Sequence, residues 1–316
     1  MKEINEYGKI YNLGNKELGD LCNGEVFAQE KIDGSQFSFM WDDDRKLICK
    51  SKNAHIDIDD PGMFDRAVET VRKLSVYAAP VNWVFRCEYL RSEKHNTIRY
   101  GRVPKGHLVL LDLELGRGSG SYISSIETLK LWSDLFDIEL VRELGRLHLP
   151  TMDMLIQKAT EWSAGESQLG GKMEGVVFKS YINHDRHGHF VKGKFVRPEF
   201  REANGDKWSA EKKGRTSSAI LETIVARYKT EARWNKAIQH LRDQGQLTDS
   251  MQDIPKLMKE VSKDIHDEEE AEILDALWAH FWPQISRGVT RGLPEFYRNH
   301  INQQLINDNG NCNNVA

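Results

Sequence analysis

Short runs of alternating apolar and polar residues dominate the chain up to about residue 200. Side chains along a β-strand point to opposite faces in turn, so this period of two predicts half-buried strands between Gly, Asp and Asn turns. The runs are SQFSFMW, KLICKSK, NWVFRCEYL, HLVLLDLEL, EGVVFKS and HFVKGKFV. Three helical patterns lie among them, namely GMFDRAVETVRKLSVYA, SSIETLKLWSDLFD and TMDMLIQKATEWSA. Because strands predominate, we expect an α+β domain built around antiparallel sheet.

After about residue 210 the strand patterns give way to a helical period. TSSAILETIVARYKTEARWNKAIQHLRDQG predicts one helix that stops near Gly245, and DIPKLMKEVSKDI predicts a second. Asp267 with Glu270 three residues on predicts the N-terminal cap of a third, which ends before Pro283. LPEFYRNHINQQLI predicts a fourth. We therefore divide the chain into an α+β domain, residues 1–208, and a small all-α C-terminal domain, residues 209–316.

The third of these helices carries an apolar stripe along one face. Its members are Ile273, Leu274, Leu277, Trp278 and Phe281. Apolar residues at helical spacing usually face a protein core, so we expect the C-terminal helices to pack around one.

Composition and charge narrow the class of protein. A chain of 316 residues with 39% hydrophobic and 29% charged residues suits a soluble globular protein. It has no apolar run of membrane-spanning length and no signal-peptide core, so we expect a cytoplasmic protein without a membrane partner. Four scattered cysteines also fit a reducing compartment. With a net charge of −4, any polyanion site must be a local patch, and residues 179–215 carry ten Lys or Arg against five Asp or Glu.

One group of residues could support an amine nucleophile. Lys31 stands at the mouth of a strand, beside the Asp33–Gly34 turn. A lysine attacks only when deprotonated, and burial or nearby cations lower its pKa from about 10.4. Carboxylates are needed as well, to hold a divalent metal against substrate phosphates. Glu88 ends one apolar run and Glu174 opens another, so both could project from a sheet edge.

Lys192 and Lys194 are two residues apart on a predicted strand and therefore share one face. Two cations on one face of an apolar strand cost stability unless they meet an anion. Each piece alone has a plainer interpretation, since a single K-x-D-G is a weak signal and a Glu before Gly is commonly part of a turn.

The order of the motifs is more specific than any one of them. EKIDG, SK at 51–52, FRCEYL, LLDLE, EGVVFK and VKGK follow one another across residues 28–196. This set resembles the ordered motifs of the covalent nucleotidyltransferase superfamily, which comprises ATP-dependent DNA ligases, RNA ligases and mRNA capping enzymes. The resemblance implies a nucleotidyltransferase (adenylation) fold with antiparallel sheets and flanking helices.

The resemblance also implies a role for each matched residue. Lys31 would attack the α-phosphate of ATP, release pyrophosphate and carry AMP as a lysyl phosphoramidate. Lys192 and Lys194 would contact the α-phosphate and help lower the pKa of the nucleophile. Glu174 would support the metal, Mg²⁺ or Mn²⁺, and Glu88 would bind the ribose hydroxyls with a possible metal-related role.

Three further matches concern the nucleotide. Glu30 would lie near the nucleobase, Val177 would pack on the purine face, and Lys52 would contact the nucleotide or the terminal phosphate of the acceptor. AMP would then pass to an RNA 5′-phosphate, and a 3′-hydroxyl would attack to seal the strand.

The helical C-terminal part distinguishes between branches of the superfamily. DNA ligases and capping enzymes generally continue into an OB-fold, which reads as short strands. A helical continuation is similar to the phage RNA ligase 2 family, which implies a monomer acting on nicked duplex RNA. The alternatives are a DNA ligase, a capping-type guanylyltransferase, or a non-catalytic nucleic-acid-binding protein. Three departures from the family pattern are Asp33 where histidine is common, Lys52 where arginine is common, and no aromatic residue beside Asp112.

Overall fold

The computed structural model describes residues 3–52, 54–77, 79–185, 188–200 and 217–311. It divides into two compact units, one formed by Met1–Gly205 with Ala226–Glu268, the other by Asp206–Val225 with Glu269–Ala316. The proposed boundary between residues 208 and 209 lies outside the described residues, as does much of the basic patch, and that division stays a prediction.

The strands are β1 (Tyr11–Asn12), β2 (Glu25–Lys31), β3 (Ser35–Trp41), β4 (Leu47–Ser51), β5 (His55–Ile56), β6 (Val84–Tyr89), β7 (Leu108–Glu114), β8 (Glu139–Leu140), β9 (Glu143–His148), β10 (Gly175–His184) and β11 (Phe190–Val196). The helices are α1 (Asp65–Arg72), α2 (Ile126–Leu135), α3 (Met152–Ser163), α4 (Ser217–Tyr228), α5 (Glu231–Asp243), α6 (Ile254–Val289) and α7 (Leu293–Asn311). This mixture confirms the α+β fold class with a helical C-terminal region.

All the described strands belong to two sheets in the first unit. The five-stranded sheet has the order β1-β11-β10-β2-β9, and the six-stranded sheet has the order β5-β4-β3-β6-β7-β8. Neighbouring strands are antiparallel except for β1 with β11 and β7 with β8. The expected antiparallel architecture is therefore confirmed.

Each sheet buries its hydrophobic face against helices. Phe37, Phe39 and Phe85 of the six-stranded sheet are fully buried in one core with residues of α1 and α2. Val176 and Phe178 of the five-stranded sheet pack in a second core with residues of α3. Because strand side chains alternate, the opposite faces of both sheets carry the polar residues of the same strands. The buried polar chemistry of this unit therefore lies on those opposite faces.

The first three predicted helices form, with one shorter than its pattern. Ser125 caps α2 by accepting from the Thr128 amide, and Thr151 caps α3 in the same way. The long pattern after residue 61 becomes a 3-10 turn, Gly62–Phe64, followed by the eight-residue α1.

The C-terminal pattern was wrong in three places. The first predicted helix is divided into α4 and α5, which are separated between Tyr228 and Glu231. The helix predicted to start at Asp267 and end before Pro283 is instead part of α6, which runs unbroken for 36 residues. The acidic side chains of Glu260, Asp264 and Glu268, four residues apart on α6, pair with His240, Arg233 and Lys236 of α5. The predicted apolar core is also wrong at Leu274 and Trp278, which are 56% and 61% exposed.

No helix in the described part of the chain is both long and apolar enough to cross a membrane.

Candidate active site

The register of the five-stranded sheet places three predicted site residues on one face. Lys31 of β2 lies opposite Gly175 of β10, and Val177 lies opposite both Gln29 and Lys194 of the neighbouring strands. Directly opposed residues share a face, so Lys31, Val177 and Lys194 point to the same side. That side faces the six-stranded sheet, because Lys179 on it reaches Asp112 of β7. The candidate site thus lies between the polar faces of the two sheets.

Lys31 is held by an ion pair with Glu174. Its ammonium lies 2.8 Å from each carboxylate oxygen. Burial acts to lower the pKa of Lys31, but the carboxylates of Glu174, Glu88 and Asp33 outweigh it and raise that pKa. The lowered pKa that a nucleophile requires is therefore not what this conformation shows, because anions rather than cations dominate around the amine.

Glu88 comes to the site from the other sheet. The backbone amide of Gly34 donates to its Oε1 at 3.1 Å. The approach needs glycine, because a Cβ at position 34 would lie 2.5 Å from the Tyr89 carbonyl oxygen. Burial raises the pKa of Glu88 to about 8 and that of Glu174 to about 7. The charge of Glu174 contributes to the raised pKa of Glu88, so ionisation of both carboxyl groups together is unfavourable.

Asp33 has a structural role in the same turn. Its Oδ2 accepts from the backbone amides of Thr97 and Ile98 at 2.8 and 2.7 Å, and its Oδ1 accepts from the Asn96 side chain at 3.3 Å. The amide of Asp33 in turn donates to the Tyr100 hydroxyl at 2.8 Å. The aspartate of the K-x-D-G sequence therefore ties the segment 96–98 to the end of β2.

Lys192 and Lys194 share a face as expected but have different surroundings. Lys192 is 1% exposed, donates to the Tyr7 carbonyl, and lies 3.7 Å from the centre of the Tyr7 ring. Burial lowers its pKa to about 7. Its cross-strand partner Lys179 pairs with Asp112 at 2.6 Å. Lys192 thus belongs to a buried polar network one row further from Lys31 than Lys194 is.

Three lysine ammonium groups surround the carboxylate of Glu268 on α6. Their distances to its oxygens are 2.9 Å for Lys236 of α5, 3.4 Å for Lys194 and 3.8 Å for Lys52. We call these three residues the lysine triad. Sequence reasoning matched Lys52 and Lys194 but missed Lys236 and Glu268, since a lysine and a glutamate on polar helices carry no distinguishing local signal.

Glu30 does not face Lys31, because neighbouring residues of a strand point to opposite sides. Its carboxylate is buried and engaged by the Ser167 hydroxyl at 2.5 Å, the Gln168 amide at 3.0 Å and Arg142 at 2.8 Å. Gln29, which shares the face of Lys31, was missed by the sequence analysis. Its side-chain oxygen is buried without a hydrogen-bond partner in the structure. An acceptor left unpaired in such a place is a candidate contact for a base.

Glu88 and Glu174 could bind a divalent metal ion whose remaining ligands are water and substrate phosphates. Among the described residues there is no group of three or more His, Cys, Asp or Glu side chains arranged to hold a metal ion. Mg²⁺ is commonly bound by one or two carboxylates together with waters and substrate phosphates. Glu88 and Glu174 have raised pKa values, so a divalent cation would relieve the repulsion between them when both are ionised.

Comparison with known families identifies this arrangement. A family model described as RNA ligase matches residues 24–194, more than half of the chain. The chain belongs to the RNA ligase family. The predicted resemblance to RNA ligases is confirmed at this level, and the match includes every predicted site residue of the motif set. No curated protein matches the sequence.

The chain is also similar to solved RNA ligases, at low sequence identity. An archaeal ATP-dependent RNA ligase is 13% identical, with 86% of this chain and 65% of that chain covered and a TM-score of 0.45. A variant of the Naegleria gruberi RNA ligase, solved with ATP and Mn, is 18% identical, with 62% and 57% covered and a TM-score of 0.47. The same organism's enzyme with PPi gives 17% identity, the same coverage and a TM-score of 0.43. This chain thus spans 57 to 65% of the length of those structures.

Proposed function

We propose that this member of the RNA ligase family is an ATP-dependent RNA ligase acting through a lysyl-AMP intermediate. It transfers AMP from Lys31 to an RNA 5′-phosphate and joins that end to a 3′-hydroxyl. The observation that carries the proposal is the meeting of Lys31, Glu174 and Glu88 between the two sheets. A half-buried lysine beside carboxyl groups that could hold a divalent metal, in a family of RNA ligases, supports the formation of a covalent nucleotide adduct.

In the first step the Lys31 nitrogen forms a bond to the α-phosphorus of ATP while the bond to the bridging oxygen of pyrophosphate breaks. The amine must first give up a proton, and its pairing with Glu174 opposes this loss. A bound Mg²⁺ or Mn²⁺ would neutralise charge on the phosphates and on the carboxylates. Glu174 and Glu88 would hold that ion, which frees Lys31 from their attraction.

The remaining residues of the face would position the nucleotide. Lys194, one row from Lys31, would contact the α-phosphate, and Lys192 would join it from the next row. Val177, 8% exposed, would pack against the purine. The buried oxygen of Gln29 would accept a hydrogen bond from an exocyclic amine of the base, which adenine has at its six position. The Glu30 carboxylate would not contact the base directly, since it is engaged by Ser167 on the other side of the strand.

The organisation of the protein follows from the same proposal. Residues 1–208 would form the nucleotidyltransferase domain and residues 209–316 a helical domain that contacts the acceptor strand. The substrate would be RNA with 5′-phosphate and 3′-hydroxyl ends, held as a nicked duplex. We propose that the protein acts as a monomer in the cytoplasm.

The test is covalent labelling. Wild-type protein incubated with α-³²P-labelled ATP and Mg²⁺ should retain acid-stable label, and Lys31→Ala should lose it. Lys263→Ala, which removes an exposed lysine of α6, is the matched control and should label as wild type. A wild-type protein that never retains label contradicts the proposal.

The nucleotide and substrate distinguish the alternatives. Labelling by GTP in place of ATP would indicate a capping-type guanylyltransferase. Faster sealing of nicked duplex DNA than of nicked duplex RNA would indicate a DNA ligase. RNA binding that is unaffected by Lys31→Ala, without ligation, would indicate a non-catalytic binding protein.

A further inference from the structure

We propose that the lysine triad is a phosphate-binding subsite whose third member comes from α5, and that Glu268 takes the place of the phosphate in this conformation. The ligand class is a phosphate dianion, from pyrophosphate or from the 5′ end of an RNA. The assignment of that ligand rests on the proposed function, whereas the anion site itself rests on geometry alone.

The arrangement of charges is that of an anion site. The three triad ammonium groups lie between 2.9 and 3.8 Å from oxygens of one carboxylate. They come from three separate parts of the chain, the end of β4, β11 and α5. Three cations brought together from distant segments repel one another, and an anion between them offsets that repulsion. Glu268 supplies that anion here, and the lysines hold its pKa well below the usual range although burial acts to raise it.

Asp264 and Glu268 both form ion pairs with Lys236, but their other ion-pair partners differ. Asp264 lies one turn before Glu268 and also pairs with Lys236, at 2.8 Å, but its other partner is Arg233. Arg233 is completely buried, so Asp264 is fixed as its counter-ion. Among the described residues, the ion-pair partners of Glu268 are three lysines, and its side chain is 16% exposed. Glu268 is therefore the carboxylate that a stronger anion can displace.

The subsite adjoins the residues that handle the nucleotide. Lys194 lies directly across from Val177 and affects the ionisation of Glu174. A phosphate bound by the triad would therefore lie next to the phosphates or the acceptor end at Lys31. Lys9 donates to the Asp267 carbonyl, which holds this turn of α6 beside the sheet. Displacement of Glu268 requires only a change in its side chain, while the backbone contact remains.

Competition by the Glu268 side chain raises the apparent dissociation constant of a phosphate ligand, by a factor that depends on how often Glu268 fills the subsite. If Glu268 fills the subsite nine times in ten, the apparent dissociation constant of a phosphate ligand is about tenfold higher than that of the open subsite. Glu268→Gln keeps the shape and removes the charge, so it should tighten binding by about tenfold. Lys236→Ala removes a cation and should weaken binding, also by about tenfold.

The experiment measures binding without chemistry. The full chain carrying Lys31→Ala, which cannot accept AMP, is titrated in a calorimeter with inorganic pyrophosphate. In parallel it is titrated with a 12-nucleotide RNA bearing either a 5′-phosphate or a 5′-hydroxyl. Glu268→Gln and Lys236→Ala are added to this background. Asp275→Asn on the exposed side of α6 and Lys263→Ala are the matched controls and should change nothing.

The outcomes distinguish pyrophosphate from the RNA 5′-phosphate as ligand, and they test the subsite separately from the proposed function. Opposite shifts for the two variants with pyrophosphate assign the subsite to a diphosphate, and opposite shifts confined to the 5′-phosphorylated RNA assign it to the RNA end. Equal shifts with the 5′-hydroxyl RNA, or no shift with either probe in folded variants, overturn the subsite. If Glu268→Gln does not fold, Lys236→Ala alone decides. Failure of Lys31 labelling, with the binding shifts intact, would overturn the proposed function and leave the subsite.

Discussion

The Lys31 ammonium lies 2.8 Å from both carboxylate oxygens of Glu174, on strands that pair Lys31 with Gly175. The contact stabilises the protonated lysine, which cannot attack phosphorus. The same glutamate is the proposed metal ligand. The Glu174 carboxylate thus holds the proton on Lys31, the proposed nucleophile, and would weaken that hold once it binds a metal.

Replacement of Glu174 should separate these two effects. Glu174→Gln removes the charge that most strongly holds the Lys31 proton, so modification of Lys31 by an amine-specific reagent at pH 8 should accelerate by about tenfold. Labelling by ATP should nevertheless fall by about a hundredfold, because the metal loses a ligand. Peptide mass spectrometry follows the first effect and radiolabelling the second.

The control for this variant is Glu199→Gln. Glu199 also pairs with cations, Lys172 at 3.1 Å and Arg197 at 3.0 Å, and its side chain is 38% exposed. It should leave both measurements unchanged. An unchanged modification rate of Lys31 in Glu174→Gln would mean that the ion pair does not control the amine.

Gly34 should be intolerant of a side chain. In Gly34→Ala the new Cβ would lie 2.5 Å from the Tyr89 carbonyl oxygen and 2.8 Å from the Glu88 Cγ. Overpacking of this kind typically costs about 1–3 kcal/mol, and here it also displaces Glu88. We expect that loss in the free energy of unfolding by urea, with labelling reduced more than tenfold.

Gly288→Ala provides the contrast for Gly34→Ala. A Cβ at Gly288 would meet nothing within 4 Å, and the residue lies inside α6. Alanine is a better helix former than glycine by about 1 kcal/mol. This variant should gain stability or keep it, so a loss in both variants would indicate a general sensitivity to alanine and not a clash at Gly34.

Asp112 should be the most costly buried charge to remove. It is fully buried and accepts from Lys179 at 2.6 Å, from Tyr181 at 2.5 Å and from Tyr7. Asp112→Ala leaves the Lys179 ammonium buried without its counter-ion, which should cost about 3–5 kcal/mol. Adding Lys179→Met should recover most of that loss. Urea denaturation measures both.

An exposed ion pair gives the comparison. Lys158 and Glu161 lie 2.8 Å apart with 40% and 59% of their side chains exposed. Glu161→Ala should change stability by less than about 1 kcal/mol, because solvent screens such pairs. If Glu161→Ala and Asp112→Ala lowered the free energy of unfolding equally, burial would not be what makes the Asp112 ion pair costly to break.

Asp243 should give the stability a measurable pH dependence. Burial raises its pKa to about 6, while hydrogen bonds from Ser35 at 2.7 Å and Gln239 at 2.6 Å lower it in part. A folded-state pKa above the unfolded value of about 3.9 means that the fold prefers the protonated acid. The protonated Asp243 carboxyl therefore contributes most to the free energy of unfolding below pH 4, and this contribution is lost as the pH rises through 6.

Asp243→Asn imitates the protonated acid and should abolish that dependence. Relative to the variant, wild type should lose about 2 kcal/mol of unfolding free energy between pH 4.5 and 7.5. His240 and Arg242 also act on this carboxyl, and His95 faces it through Ser35. The pKa of His95 is lowered to about 4 by burial, so it stays neutral over the range. His240→Gln is the control for titration of His240, and a dependence that survives in Asp243→Asn but not in His240→Gln would assign it to the histidine.

Local pattern was sufficient for six strands, β3, β4, β6, β7, β10 and β11, but it did not predict the shorter strands, β9, or β2, which carries Lys31. Phe37, Phe39 and Trp41 alternate along β3 and are buried, as the period of two requires. Lys31 and Glu174 were found because each occupies a short motif, and antiparallel pairing of β2 with β10 then brings them together.

Long-range pairing was not accessible from the sequence. Lys236 and Glu268 stand on helices with many charges, and only the packing of α5 and α6 on the sheet brings them to Lys194. Local capping rules also predicted a helix start at Asp267, where α6 continues without a break. The expected lowering of the Lys31 pKa failed for a related reason. The carboxylates that surround this lysine come from several strands, and their proximity depends on how those strands pair.

The anchoring of segment 96–98 by Asp33 bears on how sequence variation at that position should be interpreted. A carboxylate can accept several hydrogen bonds at once, and here it receives three, whereas a neutral imidazole has a single acceptor nitrogen. A ligase with histidine at this position must satisfy two of those donors in another way, with a shorter connection, another acceptor or water. The residue two places after the nucleophile is then an indicator of loop architecture, and its identity need not follow the kind of nucleic acid that is joined.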